Sequence, residues 1–267
     1  MTHADAFLRD ILAHPDDDAP RLIFADWLEE QGDANSIARA EFIRIQCALA
    51  AEHVSERRRA QLGRRADEIL DEWDQEWIEP VRRLVRGWVF HRGFIDDVSM
   101  WAHTFVAHAG RLFRRAPIQH LILEQNDDHP IGRYMAALAD IEQLSRLHSL
   151  NLSGLGLESR DLRALVVSKH LSALTSLDLS NNRIGVGGIR ALASSSLLGK
   201  LERLNLRYTD IGATGLRILV RALEALANSP DGLHLQRLEL HFPSIRAYAA
   251  GKRVIAESPL LRRLLRL

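Results

Sequence analysis

At 267 residues the chain has room for one large domain or two smaller ones, and its 35 Lys and Arg balance its 35 Asp and Glu. A formal net charge of zero argues against a dedicated nucleic-acid binder, and the single cysteine, Cys47, excludes both an internal disulfide framework and a cysteine-rich zinc site. No N-terminal apolar run reads as a signal peptide and no stretch is long enough to span a bilayer, so a cytoplasmic location without membrane association is expected.

Residues 1–85 read as four helices forming a small domain. Thr2 caps the first, in which Phe7, Leu8, Ile11 and Leu12 share a face, and His14-Pro15 ends it. Asp18 serves as N-cap of the second, with Pro20 in its first turn; Leu22, Ile23, Trp27 and Leu28 supply apolar positions and Gly32 stops it. The third starts near Asn35 with Ile37, Phe42, Ile45 and Leu49 on one stripe, and Cys47 on the same apolar side is expected to be packed rather than reactive. A fourth runs from about Ser55 to Pro80 with Leu62, Ile69, Leu70, Trp73 and Trp77. Residues 86–117 read as a linker with a capping strand, in which Ile95, Val98 and Met100 keep the spacing L-x-x-L-x-L, followed by a helix from Thr104 to Arg115.

From residue 118 the pattern changes to a repeat. In LTSLDLSNNRIGVGGIRALA, Leu174, Leu177 and Leu179 follow L-x-x-L-x-L and are completed by Asn182 and Ile184. Alternation in an extended segment sends Leu177 and Leu179 inward, and Ser176, Asp178 and Ser180 outward. An Asn at the Asn182 place can turn its amide inward to pair backbone groups that the bending chain would bury. Copies begin at Ile118, Leu147, Leu174, Leu201 and Leu235, spaced 29, 27, 27 and 34 residues, with Leu155 and Thr209 replacing the Asn in two of them. Each copy has room for a strand and a helix, and one copy cannot cover its own core face, so the copies must stack. After them, Ser244–Glu257 reads as a helix, and Leu260, Leu261 and Leu264 as the start of a further strand, an ending that either caps the array, the favoured reading, or marks a truncation or a partner surface. The fold class expected is α/β: a small helical domain, then over 118–267 a short solenoid with a parallel sheet on its concave face and helices on its convex face.

Two resemblances follow from these residues. The repeat length and pattern resemble the ribonuclease-inhibitor-like subtype of leucine-rich repeats. The segment FLRDILAHPDDDAPRLIFADWLEEQGDANSIARAEFIRIQCAL, roughly residues 5–50, with its core D-x-x-R-L-I-F-A-D-W-L-E-E-x-G-D, resembles the repeat-companion domain found beside such repeats, mainly in planctomycetes and myxobacteria. RGFIDDVSM and FVAHAGRLFRRAPIQHLIL are similar to the linker and first repeat of those proteins. The resemblance implies the architecture and a bacterial source, and no chemistry.

Nothing in the chain reads as a catalytic or cofactor site. Asp16, Asp17 and Asp18 are acidic residues at a helix start, stabilised by the N-terminal dipole, and three consecutive carboxylates do not all face one ion. His103 and His108 lie on different helix faces, and His129 beside Asp127 and Asp128 reads as an exposed turn. There is no G-x-S-x-G, P-loop or post-strand G-x-G-x-x-G; Gly185, Gly187 and Gly188 form a repeat turn. No enzyme, cofactor or metal is expected. The basic clusters Arg57, Arg58, Arg59, Arg64, Arg65 and Arg111, Arg114, Arg115 read as solvated helix faces among acids, and nucleic-acid binding through them is the alternative function.

The positive case for function lies in the outward strand positions. Stacking aligns them into rows: Asp97, His120, Ser149, Ser176, Arg203, Arg237; then Ser99, Ile122, Asn151, Asp178, Asn205, Glu239; then Trp101, Glu124, Ser153, Ser180, Arg207, His241. The middle is small and polar, with Trp101 and Ile122 as an apolar anchor at one end and Arg203, Arg207 and Arg237 as cationic forks at the other; Trp and Arg are enriched at interface hot spots. The expected function is a non-catalytic protein-interaction module whose partner protein contacts Trp101, Ile122, Glu124, Asn151, Asp178, Arg203, Asn205, Arg207, Arg237 and Glu239. A partner enzyme regulated by such binding is a third reading.

Overall fold

A computed structural model of the chain describes residues 3–230, 232–241 and 245–265. Contacts divide it into two compact units, one running to Ser99 and including Gly110–Ile118, the other made of Met100–Ala109 and the chain from Gln119 onward. The Thr2 cap and Ser244 lie outside the described residues.

The first unit holds helices α1 (His3–Ala13), α2 (Ala19–Gln31), α3 (Ala34–Ala50) and α4 (Glu56–Ile78), then strands β1 (Gly87–His91) and β2 (Phe94–Trp101, entering the second unit at Met100). Local chemistry explains the helix ends. Gly32 stops α2 at φ 76°, Asp33 accepts the Ser36 N–H at 3.0 Å to open α3, and Ser55 Oγ accepts the Arg58 N–H to open α4. Asp18 occupies the N-cap of α2 without a capping bond; Asp17 takes the Ala19 N–H at 2.9 Å instead, while Asp18 pairs with Arg92 at 3.0 Å. The acidic run is thus committed to the helix start and to Arg92.

Ile11, Ala25, Leu28, Ala40, Ile43, Cys47 and Phe94 form one buried cluster of this unit, with Leu8, Phe24 and Trp27 against it. The inward face of α2 differs from the sequence reading. Leu22 and Ile23 are exposed, as is Ile37 on α3, while Arg21 is buried because its guanidinium Nη1 donates to the carbonyls of His14 and Asp17. The hairpin adds β1, a strand the repeat spacing does not reveal. It pairs antiparallel with β2 and turns on Arg92 and Gly93, both at positive φ (51° and 82°), as a two-residue hairpin with right-handed strand twist requires.

The second unit opens on α5 (Ala102–Phe113, its last turn in the first unit) and continues through β3 (His120–Glu124), α6 (Met135–Ala139), β4 (Ser149–Asn151), α7 (Ser159–Val166), β5 (Ser176–Asp178), α8 (Gly185–Ala193), α9 (Ser196–Lys200), β6 (Arg203–Leu206), α10 (Gly212–Ala227), β7 (Arg237–Leu240), α11 (Ile245–Glu257) and α12 (Pro259–Leu264). β3 to β7 pair in parallel, each with the next in the chain, and helices α6, α7, α8, α10 and α11 likewise pack in succession. The register places Leu121, Leu150, Leu177, Leu204 and Leu238 side by side, each no more than 2% exposed. A fully buried leucine contributes roughly 1.5–3 kcal/mol, so this row is a main source of cohesion between repeats. Among the described residues no helix is long and apolar enough to cross a membrane.

Asn182 supplies the polar counterpart. Its Oδ1 accepts the N–H groups of Leu155 and Leu157, one repeat back, and its Nδ2 donates to the carbonyls of Leu152, Leu179 and Ser180. Thr209, at the same place one repeat on, donates through its hydroxyl to the Leu206 carbonyl, at 2.6 Å.

Leu260, Leu261 and Leu264 do not start a strand. Ser258 Oγ accepts the Leu261 N–H, Pro259 sits in the first turn, and the segment is helix α12 with Leu261 and Leu264 buried. A spacing of three serves a helix face as well as a repeat strand, and the Ser-Pro start signal decides between them.

Candidate binding face of the parallel sheet

The strand register brings the outward positions together as rows. One row runs His120, Ser149, Ser176, Arg203, Arg237, and the next Ile122, Asn151, Asp178, Asn205, Glu239. Strands lie about 4.8 Å apart, so Ile122 and Glu239, four steps apart, are separated by roughly 19 Å. Ile122 is 37% exposed, whereas Trp101 at the end of β2 and Glu124 at the end of β3 are half-buried and make contacts of their own.

The middle row has local work to do. Asn151, Asp178 and Asn205 each use Oδ1 to accept the backbone N–H two residues on, at Ser153, Ser180 and Arg207, which ends each strand in the same turn. Asn205 Nδ2 also donates to Asp178 Oδ2 at 2.8 Å. These hydrogen bonds hold the side chains in place on the sheet. Ser180, expected on the outward row, is 6% exposed, because the turn that Asp178 closes carries it inward.

The cationic end is more tightly knit than the sequence implies. Glu239 lies between Arg237 (2.9 Å) and Arg207 (3.8 Å), so two of the three guanidinium groups share one carboxylate. Among the described residues Arg203 meets only Ser176 Oγ, at 3.4 Å, and carries an outward positive charge. A cleft of about 180 Å³ lies between these strands, lined by Ser176, Asp178, Arg203, Asn205, Arg237 and Glu239 over the leucines Leu177 and Leu204. Five of the expected contact residues thus meet in one cleft, with Arg207 at the shared carboxylate; Trp101, Ile122, Glu124 and Asn151 are not part of it.

Tyr208 was not among the expected residues. It sits at φ 56° in the turn after β6, 42% exposed, its ring 4.0 Å from that of His241 and 5.8 Å from the Arg207 guanidinium carbon. The equivalent positions 27 and 54 residues earlier are Asn181 (φ 56°) and Gly154 (φ 69°), residues that tolerate the left-handed region. An exposed aromatic at a strained place points to use rather than packing. The signal was legible: Tyr208 occupies the slot of Gly154 and Asn181 in the aligned copies.

Other polar clusters are accounted for structurally. His129 is not an exposed turn residue; its ring lies 4.2 Å from that of His103, with both Nδ1 atoms enclosed and without hydrogen-bond partners. Burial, then the neighbouring His129, holds His103 below the usual histidine range. Among the described residues no group of three or more His, Cys, Asp or Glu is placed to hold a metal ion. In the Arg57–Arg65 cluster, Arg65 is clamped by Glu41 (2.7 Å) and Glu68 (3.1 Å), and Arg59 donates to the Leu49 carbonyl.

The family model described as "Leucine Rich repeat" matches residues 170–193 and 200–219, the third and fourth copies. No curated protein matches the chain. Among solved structures, a Caenorhabditis elegans tropomodulin C-terminal domain is similar at 15% identity and a TM-score of 0.30, covering 50% of this chain and 81% of that one, a likeness too low to bear on fold or function. The chain carries leucine-rich repeats, units that generally mediate protein–protein interaction.

Proposed function

We propose that the chain is a cytoplasmic, non-catalytic protein-interaction module. The stacked repeats form a ribonuclease-inhibitor-like solenoid whose concave face is the exposed face of the β3–β7 sheet, and the helical N-terminal region is a repeat-companion domain of bacterial type. The observation that carries the reading is the exposed end of the sheet. There Arg203 pairs with no carboxylate among the described residues, Tyr208 is held exposed at positive φ beside His241, and Asp178 and Asn205 are pre-set by their turns. Rigid aromatic and arginine anchors around a small polar floor favour a protein partner with an acidic, partly apolar surface. Nucleic acid is disfavoured, since Arg65 and Arg59 are already engaged within the chain.

Affinity capture from a lysate of cells that express the chain tests this. An Arg203→Glu/Arg207→Glu variant, with circular dichroism equal to wild type, is expected to lose a protein that wild type retains. Retention of the same protein by the variant would count against the sheet face.

A further inference from the structure

A second site lies in the first unit. Arg39 on α3 is enclosed by aromatic rings: its guanidinium carbon is 4.3 Å from the Trp77 ring centroid, 5.3 Å from those of Phe90 and Phe94, and 5.9 Å from that of Phe42. Among the described residues no carboxylate pairs with it, and its Nη1 is shut off from solvent with no hydrogen-bond partner. Two other arginines of the unit are paired with carboxylates instead. Arg44 takes Asp26 and Glu29, both at 2.7 Å, and Arg65 takes Glu41 and Glu68. Nη1 is sealed, so the donors open to an acceptor are the guanidinium's other N–H groups, and ring faces attract a guanidinium without accepting a directed hydrogen bond from its edge.

Arg39 also lines a cavity of about 270 Å³, together with Leu8, Phe24, Trp77 and Phe94, and the exposed side chains Asp5, Glu76 and Arg115 stand at its rim. We propose that this cavity is a receptor for the C-terminal residue of a polypeptide, its free carboxylate on Arg39 and its apolar side chain against the aromatic wall. A carboxylate matches the guanidinium fork in two parallel hydrogen bonds. The volume exceeds what a bare anion fills, and a C-terminal residue places a carboxylate and an apolar side chain on one Cα, whereas Asp or Glu offers the acid alone. With Asp5 and Glu76 set against Arg115 the rim is net negative, which works against a multiply charged phosphate more than against a single carboxylate.

The test uses the full chain and an acetylated tetrapeptide ending in leucine, as the free acid and as the C-terminal amide, with inorganic phosphate as a third probe. Binding is read from the indole N–H resonance of Trp77 and the side-chain Nε–H resonance of Arg39. The free acid should shift both saturably and bind at least about tenfold more tightly than the amide, the scale of one charge-assisted contact; phosphate should not shift them. Arg39→Lys, which keeps the charge and loses the fork, should weaken the acid about tenfold while leaving the amide unchanged. Equal binding of acid and amide, preference for phosphate, or no shift by the acid at millimolar concentration would each overturn the proposal, and these comparisons in the wild-type chain decide the matter even where an Arg39 variant does not fold.

Discussion

Single residues set the terms of both the fold and the candidate face. Asn182 pairs five backbone groups from two repeats through one amide, and its side chain is buried. Asn182→Ala strands the Leu155 and Leu157 N–H groups away from water and is expected to cost about 3 kcal/mol, readable as a lowered urea midpoint; a loss below about 0.5 kcal/mol would mean that water replaces the amide. Tyr208 is predicted to behave in the opposite way. Tyr208→Asn restores the residue type found at Asn181, so thermal stability should hold or rise by up to about 1 kcal/mol while partner capture falls. Loss of stability together with capture would make Tyr208 a packing residue. Cys47 is buried at 5% exposure, and burial pushes its thiol up to about 12. It should resist thiol-reactive dyes in the native protein and react fully in denaturant. Burial similarly pushes the Arg39 guanidinium down to about 9, which leaves it charged at neutral pH.

At the level of elements, the hairpin of β1 and β2 shows how a turn can depend on one atom. Gly93 holds φ 82°, and a Cβ there would stand 2.5 Å from Ile43 Cγ1 and 2.7 Å from its Cα, a backbone atom that cannot swing away. Gly93→Ala should destabilise the protein by about 2 kcal/mol or more, measured by thermal unfolding; an unchanged midpoint would mean that the hairpin re-forms away from α3. This strand pair also marks where sequence reading stops. The repeat strands were legible because Leu121, Leu150, Leu177, Leu204 and Leu238 keep register, and from β3 to β7 two of the three outward rows match the ladder. β1 was not, since its pairing depends on a two-residue turn and not on the repeat. The outward rows gave the identity of the face residues but not their couplings. Glu239 drawing in Arg207 and Arg237, and Asp178 turning Ser180 inward, depend on side-chain reach across strands, which spacing alone does not encode. Arg21 facing in where Leu22 and Ile23 face out has the same origin, two carbonyls that a guanidinium can reach.

Across the whole molecule, two units with different construction carry two different kinds of surface. The repeats are cohesive because each strand and helix rests on the next, which frees one sheet face from packing duty beyond the strand-ending turns. The first unit instead concentrates aromatic rings around a cation. The two surfaces are separable by experiment, since Arg203→Glu/Arg207→Glu and Arg39→Lys should act on different ligands. The most direct test of a partner on the sheet face is a photo-crosslinking residue placed singly at Ser176 and at Arg237, both lining the cleft, and at Val167, which is 77% exposed after α7. A partner on the face predicts the same adduct from Ser176 and Arg237 and none from Val167. An adduct from Val167 alone would place the partner off the sheet and contradict the assignment.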